Sequence, residues 1–212
     1  KPISRLISLE NTSNRGGGAC YDFDEFKAIK KVAQEQQLAL HLDGARLFNA
    51  IVHKKEAAID YGNIFDSISI CLSKGLGAPV GSVLLGSAAF IKKARRWRKV
   101  FGGGMRQAGY LAAAGIYAMD HHIDRLADDH KNAIQLSDVL ANKDFVISIL
   151  PVETNIVIAN IGGKYTATSL ADTLKERGIL AIAMTPTQVR FVFHLDITES
   201  DLAKTIDIIN AL

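Results

Sequence analysis

Asp43 and Lys74 have the residue types and the settings for covalent amine chemistry. Each closes an apolar run and is followed at once by small residues. The first run is Leu38-Ala-Leu-His-Leu-Asp43-Gly44-Ala45-Arg46, and the second is Asp66-Ser-Ile-Ser-Ile-Cys-Leu-Ser73-Lys74-Gly75-Leu-Gly77. Short apolar runs closed by glycine predict buried strands ending in tight turns. A lysine at one strand end and an acid at its neighbour's meet the two needs of pyridoxal 5'-phosphate. The amine condenses with the aldehyde, and the carboxylate keeps the ring nitrogen protonated so that the ring accepts electrons. The plain alternatives are a helix-capping acid at Asp43 and a solvated loop lysine at Lys74. Gly75 and Gly77 weigh against the second, because they permit close backbone approach to a ligand and a flanking strand would strip water from the amine.

The elements that must position this pair alternate along the chain. Strands are predicted near Arg5–Glu10, Leu38–Leu42, Ser67–Leu72 and Ser82–Leu85, and helices at Asp22–Gln36, Ala45–His53 and Ala88–Val100. Such alternation predicts an α/β fold, a mainly parallel sheet flanked by helices. The continuous apolar character of the Cys71 run predicts a sheet covered on both faces. An alanine-rich segment running from Gln107 toward Ala141 has the look of a connecting helix. After Lys143 come short strands at Phe145–Leu150, Asn155–Asn160, Leu180–Ala183 and Val189–Phe193, with helices near Thr168–Arg177 and Glu199–Ala211. The expected organisation is a large domain over 1–142 that includes the connecting helix, then a small α+β domain over 143–212.

Composition narrows the function classes. With 212 residues, 48% hydrophobic and 22% charged, the chain has the make-up of a soluble globular protein. A net charge of +3 gives little reason to expect a polyanionic partner. The basic run Lys92–Lys99 with Trp97 could suggest nucleic acid, but one cationic helix is usually a solvated face, so no nucleic-acid partner is expected. Cys20 and Cys71 lie in or beside apolar segments and are expected as free buried thiols, which suits a reducing, cytoplasmic compartment. No apolar stretch is long enough to span a bilayer, so no membrane partner is expected. The first residue is Lys1 and a strand begins near Arg5, so the chain is expected to be part of a longer polypeptide. His41 would share a strand face with Asp43 and support it. His121, His122 and His130 lack metal-ligand spacing, and no metal site is expected.

Two arginines stand out near these runs. Arg46 lies one helical turn from Asp43, and its planar donor set suits cofactor substituents or a phosphate. Arg190 alternates with apolar residues in Val189-Arg-Phe-Val-Phe, where an unpaired charge is costly. It is either an edge-strand residue facing water or a bidentate partner for a substrate carboxylate. Gly102-Gly103-Gly104 between Lys99 and Arg106 forms a loop of exposed amides and cations suited to a phosphate.

Four stretches, taken together, resemble motifs of the low-specificity threonine aldolases in the wider β-eliminating lyase group. They are His41-Leu-Asp43-Gly44-Ala45-Arg46-Leu-Phe-Asn49-Ala50, Ser69 to Ser82 around Lys74, Arg96 to Gln107 around the glycine triplet, and Val189-Arg190-Phe-Val-Phe-His194-Leu-Asp196. The resemblance implies a fold of the PLP-dependent transferase type, with Lys74 carrying the cofactor and Asp43 on its ring nitrogen. It also implies Arg46 beside the cofactor, Lys99 and Arg106 reaching the phosphate region of a neighbouring subunit's site, and Arg190 on the α-carboxylate. The implied reaction is retro-aldol cleavage of L-threonine or L-allo-threonine to glycine and acetaldehyde. The implied assembly is a homodimer or homotetramer with sites completed across subunits. The chain departs from the family in two ways. Ser13 stands where the Glu-Asn-Thr-His-Asn pattern has histidine, and the family's amino-terminal portion, with its main phosphate loop and ring-stacking residue, is missing. Two alternatives stay open: another PLP-dependent β-eliminating amino-acid lyase, or a catalytically incomplete fragment serving as an assembly subunit. His194 belongs to the last motif without an assigned role.

Overall fold

The computed structural model describes residues 2–212. Contacts divide the chain into two compact units: residues up to Thr12 with Cys20–Asp124, and Ser13–Ala19 with Arg125–Leu212.

The first unit runs β1 (Leu6–Glu10), α1 (Phe23–Glu35), β2 (Ala39–Gly44), α2 (Leu47–Lys54), α3 (Ala58–Ile64), β3 (Ser67–Cys71), β4 (Ser82–Gly86), α4 (Ala88–Val100) and α5 (Gly109–His121). Its four strands lie in the order β1-β2-β3-β4. The first three are parallel and β4 runs antiparallel to β3. Helices joining parallel strands must cross over the sheet, and α1 and the α2–α3 pair do so. α1 starts where Asp22 and Glu25 form a capping box, and it buries Phe26 and Ala33. Those residues join Leu40, Leu42, Leu47, Tyr61, Phe65 and Ile68 in one core. Asp66 fastens the entry of β2, its Oδ2 accepting from the Leu40 N–H at 2.7 Å and its Oδ1 from Lys30 Nζ at 3.0 Å. Burial pushes the Asp66 carboxyl up, but the Leu40 amide and the Lys30 ammonium outweigh it and hold the pKa below its ordinary value.

Three details differ from the sequence-based expectations. α3 was not predicted: it is short, carries Gly62, and is held by burial of Tyr61 and Ile64. Cover on both faces, expected at the Cys71 strand, is complete only at Ser67 and Ile68 of β3; Ser69–Cys71 are half-buried, and every residue of β4 is exposed. β4 pairs only with β3 among the described residues, so it lacks a neighbour on its outer side. The alanine-rich segment from Gln107 is two helices, α5 and α6 (Leu126–Leu140). The chain breaks between them at His122, whose Nδ1 lies 2.6 Å from the Leu76 carbonyl oxygen.

The second unit continues from α6 with β5 (Val146–Ile149), β6 (Ile156–Ile161), α7 (Ala167–Glu176), β7 (Ile182–Ala183), β8 (Gln188–Val192) and α8 (Glu199–Asn210). Its sheet has the order β5-β6-β8-β7, all pairs antiparallel. β6 is buried along most of its length, and Ala133, Leu136 and Leu140 of α6 share its core with Val157, Ala159 and Ile161. Residues 125–142, placed by sequence with the preceding portion, therefore pack in this unit. Thr166 and Thr198 cap α7 and α8, accepting from the N–H groups of Ser169 at 3.1 Å and Asp201 at 3.2 Å. The segment Ser13–Ala19 also belongs here, held where Thr154 Oγ1 donates to the Gly18 carbonyl at 2.8 Å.

Candidate functional site

Because β1, β2 and β3 are parallel, their carboxyl ends share one edge of the sheet, the usual ligand edge of such folds. Asp43 sits there on β2, in register with Glu10 of β1 and Ser69 of β3. Its Oδ1 accepts from the Ala45 N–H at 3.1 Å, which fixes the carboxylate. Among the described residues its Oδ2 takes no hydrogen bond, so one oxygen remains for a ring N–H. His41, on the same strand face, lies with Nδ1 2.8 Å from Ser67 Oγ and so ties β2 to β3 beneath the aspartate.

Gly44 is required at this edge by close approach. A Cβ there would lie 2.8 Å from the Ser69 carbonyl oxygen and 3.0 Å from Leu47 Cβ. Replacing Gly44 with Ala is expected to wedge β2 from β3 at a cost of about 1–3 kcal/mol, read as a lower denaturant midpoint. An unchanged midpoint would mean that the two strands part without cost.

Lys74 follows β3 on the same edge, in a loop closed by Gly77 N–H to Lys74 O at 2.9 Å and Ala78 N–H to Leu72 O at 3.0 Å. Gly77 takes φ +70°, and the buried Leu76 and Ala78 anchor the loop on either side of it. The expected removal of water by a flanking strand is not seen: Lys74 is exposed, because it stands on the loop beyond β3. Two cavities of about 250 and 470 Å³ flank β4, and neither Asp43 nor Lys74 lines them.

Arg46 occupies the N-cap position of α2, half-buried, and its carbonyl accepts from Thr12 Oγ1 at 3.0 Å. This contact belongs to the Glu10–Asn14 stretch, in which the sequence singled out only Ser13. Asn11 N–H donates to the Asp43 carbonyl at 3.3 Å, Asn11 Oδ1 accepts from the N–H groups of Thr12 at 2.9 Å and Tyr21 at 3.2 Å, and Asn11 Nδ2 donates to Tyr61 Oη at 3.3 Å. Tyr61 in turn donates to Glu56, and burial together with that carboxylate pushes its phenol pKa far up. Thr12 has φ +56°, a left-handed conformation that this network holds in place. The family pattern marked this stretch in the sequence but gave no sign of its bracing role.

Lys99 and Arg106 are both exposed and form no ion pair among the described residues. Gly104 packs on Lys99, where a Cβ would meet Lys99 Cδ at 2.7 Å. The loop lies at the carboxyl end of α4, whose dipole disfavours anions, so any phosphate there depends on the two cations and the loop amides.

In the second unit, β8 lies between β6 and β7, so Arg190 is not on an edge strand. It pairs in register with Ile158 and Ile182, and its Nη1 donates to Asn14 Oδ1 at 2.7 Å. Its Nε is buried without a hydrogen-bond partner. Asn14 was not singled out from sequence. His194 Nδ1 lies 3.4 Å from Asp196 Oδ2, which assigns it no further role. Cys20 and Cys71 are free and half-buried. Among the described residues, no group of three or more His, Cys, Asp and Glu could hold a metal ion, and no helix is long and apolar enough to cross a membrane.

Comparison with known proteins supplies the family. The family model described as "Beta-eliminating lyase" matches residues 1–163. The chain belongs to the beta-eliminating lyase family. Among its relatives, low-specificity L-threonine aldolase 1 of Arabidopsis thaliana is 41% identical over 97% of the chain. The low specificity L-threonine aldolase of Escherichia coli (strain K12) is 42% identical over 95% of it. The chain spans 58% of the length of both relatives. A solved threonine aldolase from Leishmania major superposes with a TM-score of 0.76 at 19% identity, covering 99% of this chain and 61% of that one, which establishes the shared fold.

Proposed function

We propose that this chain carries the lysine, acid and arginine of a PLP-dependent carbon–carbon lyase that cleaves L-threonine or L-allo-threonine to glycine and acetaldehyde. The observation that carries the reading is the shared sheet edge of Asp43 and Lys74, with one Asp43 oxygen fixed by Ala45 and the other available. That geometry fits the cofactor, because a pyridine N–H needs an anionic acceptor and an aldehyde needs an amine nearby. When bound, the cofactor supplies a sink for the electron pair left on Cα as the Cα–Cβ bond breaks.

The side chains divide the remaining work. Lys74 would hold the cofactor through its amine. Asp43 would accept from the protonated ring nitrogen and offset its positive charge. Arg46 donates to cofactor substituents. Arg190 would clamp the α-carboxylate and so fix the orientation of the substrate. Lys99 and Arg106 contribute positive charge to the phosphate region of a neighbouring subunit's site, in a homodimer or homotetramer. The exposure of Lys74 and the open face of β4 support a site completed by further polypeptide. The same reading places the enzyme in the cytoplasm. The names of the relatives favour aldol cleavage over elimination of a β-substituent.

The test is product analysis on the purified full-length holoprotein. Threonine should yield glycine and acetaldehyde in equal amounts. Pyruvate and ammonia from serine or cysteine, without aldehyde from threonine, would make it an eliminating lyase. A full-length protein that binds no PLP would reduce the chain to an assembly subunit.

A further inference from the structure

We infer that Asn14 is a positioning residue for substrate carboxylate recognition: it grips one end of the Arg190 guanidinium and sets the direction in which the other N–H groups are presented. The inference rests on Arg190 as the carboxylate clamp.

The chemistry of the pair supports this role. Asn14 and Arg190 are 176 positions apart, yet Oδ1 and Nη1 meet at 2.7 Å within one compact unit. The acceptor is a neutral amide oxygen, so it orients the guanidinium without neutralising it. Among the described residues Arg190 has no ion pair, and its buried Nε has no partner. An arginine offers five N–H donors in a rigid plane. One held by an amide and left with donors to spare is prepared for an anion. A carboxylate matches that planar fork in shape and charge. A structural arginine in the same apolar strand would be expected to meet an acid, since an uncompensated buried charge is costly.

The backbone around Asn14 is built to hold it. Gly18 N–H donates to the Ser13 carbonyl at 2.9 Å, closing the loop that contains Asn14. Thr154 Oγ1 then pins the Gly18 carbonyl at 2.8 Å. Gly17 and Gly18 have φ +74° and +78°, and a Cβ on Gly18 would collide with Thr154 Oγ1. The loop therefore lies flush on the second unit and delivers Asn14 to Arg190 already ordered, so substrate need not order it.

The experiment measures glycine affinity of the full-length holoprotein by calorimetry, together with kcat and KM for threonine and the thermal midpoint. In Asn14→Asp a carboxylate faces Arg190 and competes with the substrate's own. Glycine affinity should fall and KM rise about tenfold or more, as expected for loss of a charge-assisted hydrogen bond, with the thermal midpoint held or raised. Asn14→Ala should move KM in the same direction with a smaller change in kcat. Gly18→Ala, which unseats the loop, should follow it. Affinity for the carboxylate-free amino alcohol related to threonine should stay unchanged in Asn14→Asp. The inference is overturned if Asn14→Asp leaves glycine affinity within about twofold of wild type, or weakens both ligands equally. Failure to bind glycine in the wild type overturns it as well. If the wild type binds glycine through Asn14 but releases no acetaldehyde, the substrate assignment falls while this inference stands. If it cleaves threonine and the variants keep their KM, only this inference falls.

Discussion

Lys74→Ala is expected to abolish the near-visible absorbance band of the full-length holoprotein and to lower threonine cleavage by at least ~10³-fold, with the thermal midpoint of the apoprotein nearly unchanged. The separation of the two effects follows from its setting. Lys74 is exposed and its loop is closed by backbone bonds, Gly77 N–H to Lys74 O and Ala78 N–H to Leu72 O, which alanine preserves. Loss of an exposed side chain without partners costs within about 0.5 kcal/mol. No other lysine lies on the Ser73–Gly81 loop, so none can take over the amine's role from that position. A retained band, or a variant apoprotein that unfolds several degrees earlier than the wild-type apoprotein, would show that Lys74 is a structural residue and not the cofactor's anchor.

Asp43→Asn carries the second large effect, about 10²–10³-fold in kcat with the cofactor still bound. An amide oxygen at this position can still accept from the Ala45 N–H, so the end of β2 keeps its geometry. What disappears is the negative charge on the atom that would face the ring nitrogen, and with it the raised pKa that keeps the ring protonated. Asp43→Ala should lose the hydrogen bond as well, so it should combine the same rate loss with a lower midpoint. Wild-type turnover in Asp43→Asn would remove Asp43 from the chemistry and leave it the helix-capping role.

The strand edge was legible because its signals are local. A strand needs only a short apolar run, and its end is marked by the glycine that permits the turn, as at Asp43-Gly44 and Lys74-Gly75. β1 to β4, α1, α2 and α4 lie close to their expected positions for this reason. The break between α5 and α6 had no comparable mark. Alanine-rich sequence continues a helix in isolation, whereas α5 and α6 belong to different units. α3 was hidden for the converse reason: its pattern is weak and tertiary burial of Tyr61 stabilises it.

By itself, then, the amino-acid order determined which residue types end which strands, the α/β class, and the family motifs around Asp43, Lys74 and Arg190. Hydrophobic period and turn chemistry act over a few residues and need no partner elsewhere. Tertiary structure alone decided that Asn11 and Thr12 brace the ends of β1 and β2, that Arg190 sits on an interior strand, and that Asn14 meets its guanidinium. A hydrogen bond across 176 positions depends on how the sheet brings distant segments together, and no local pattern encodes that distance.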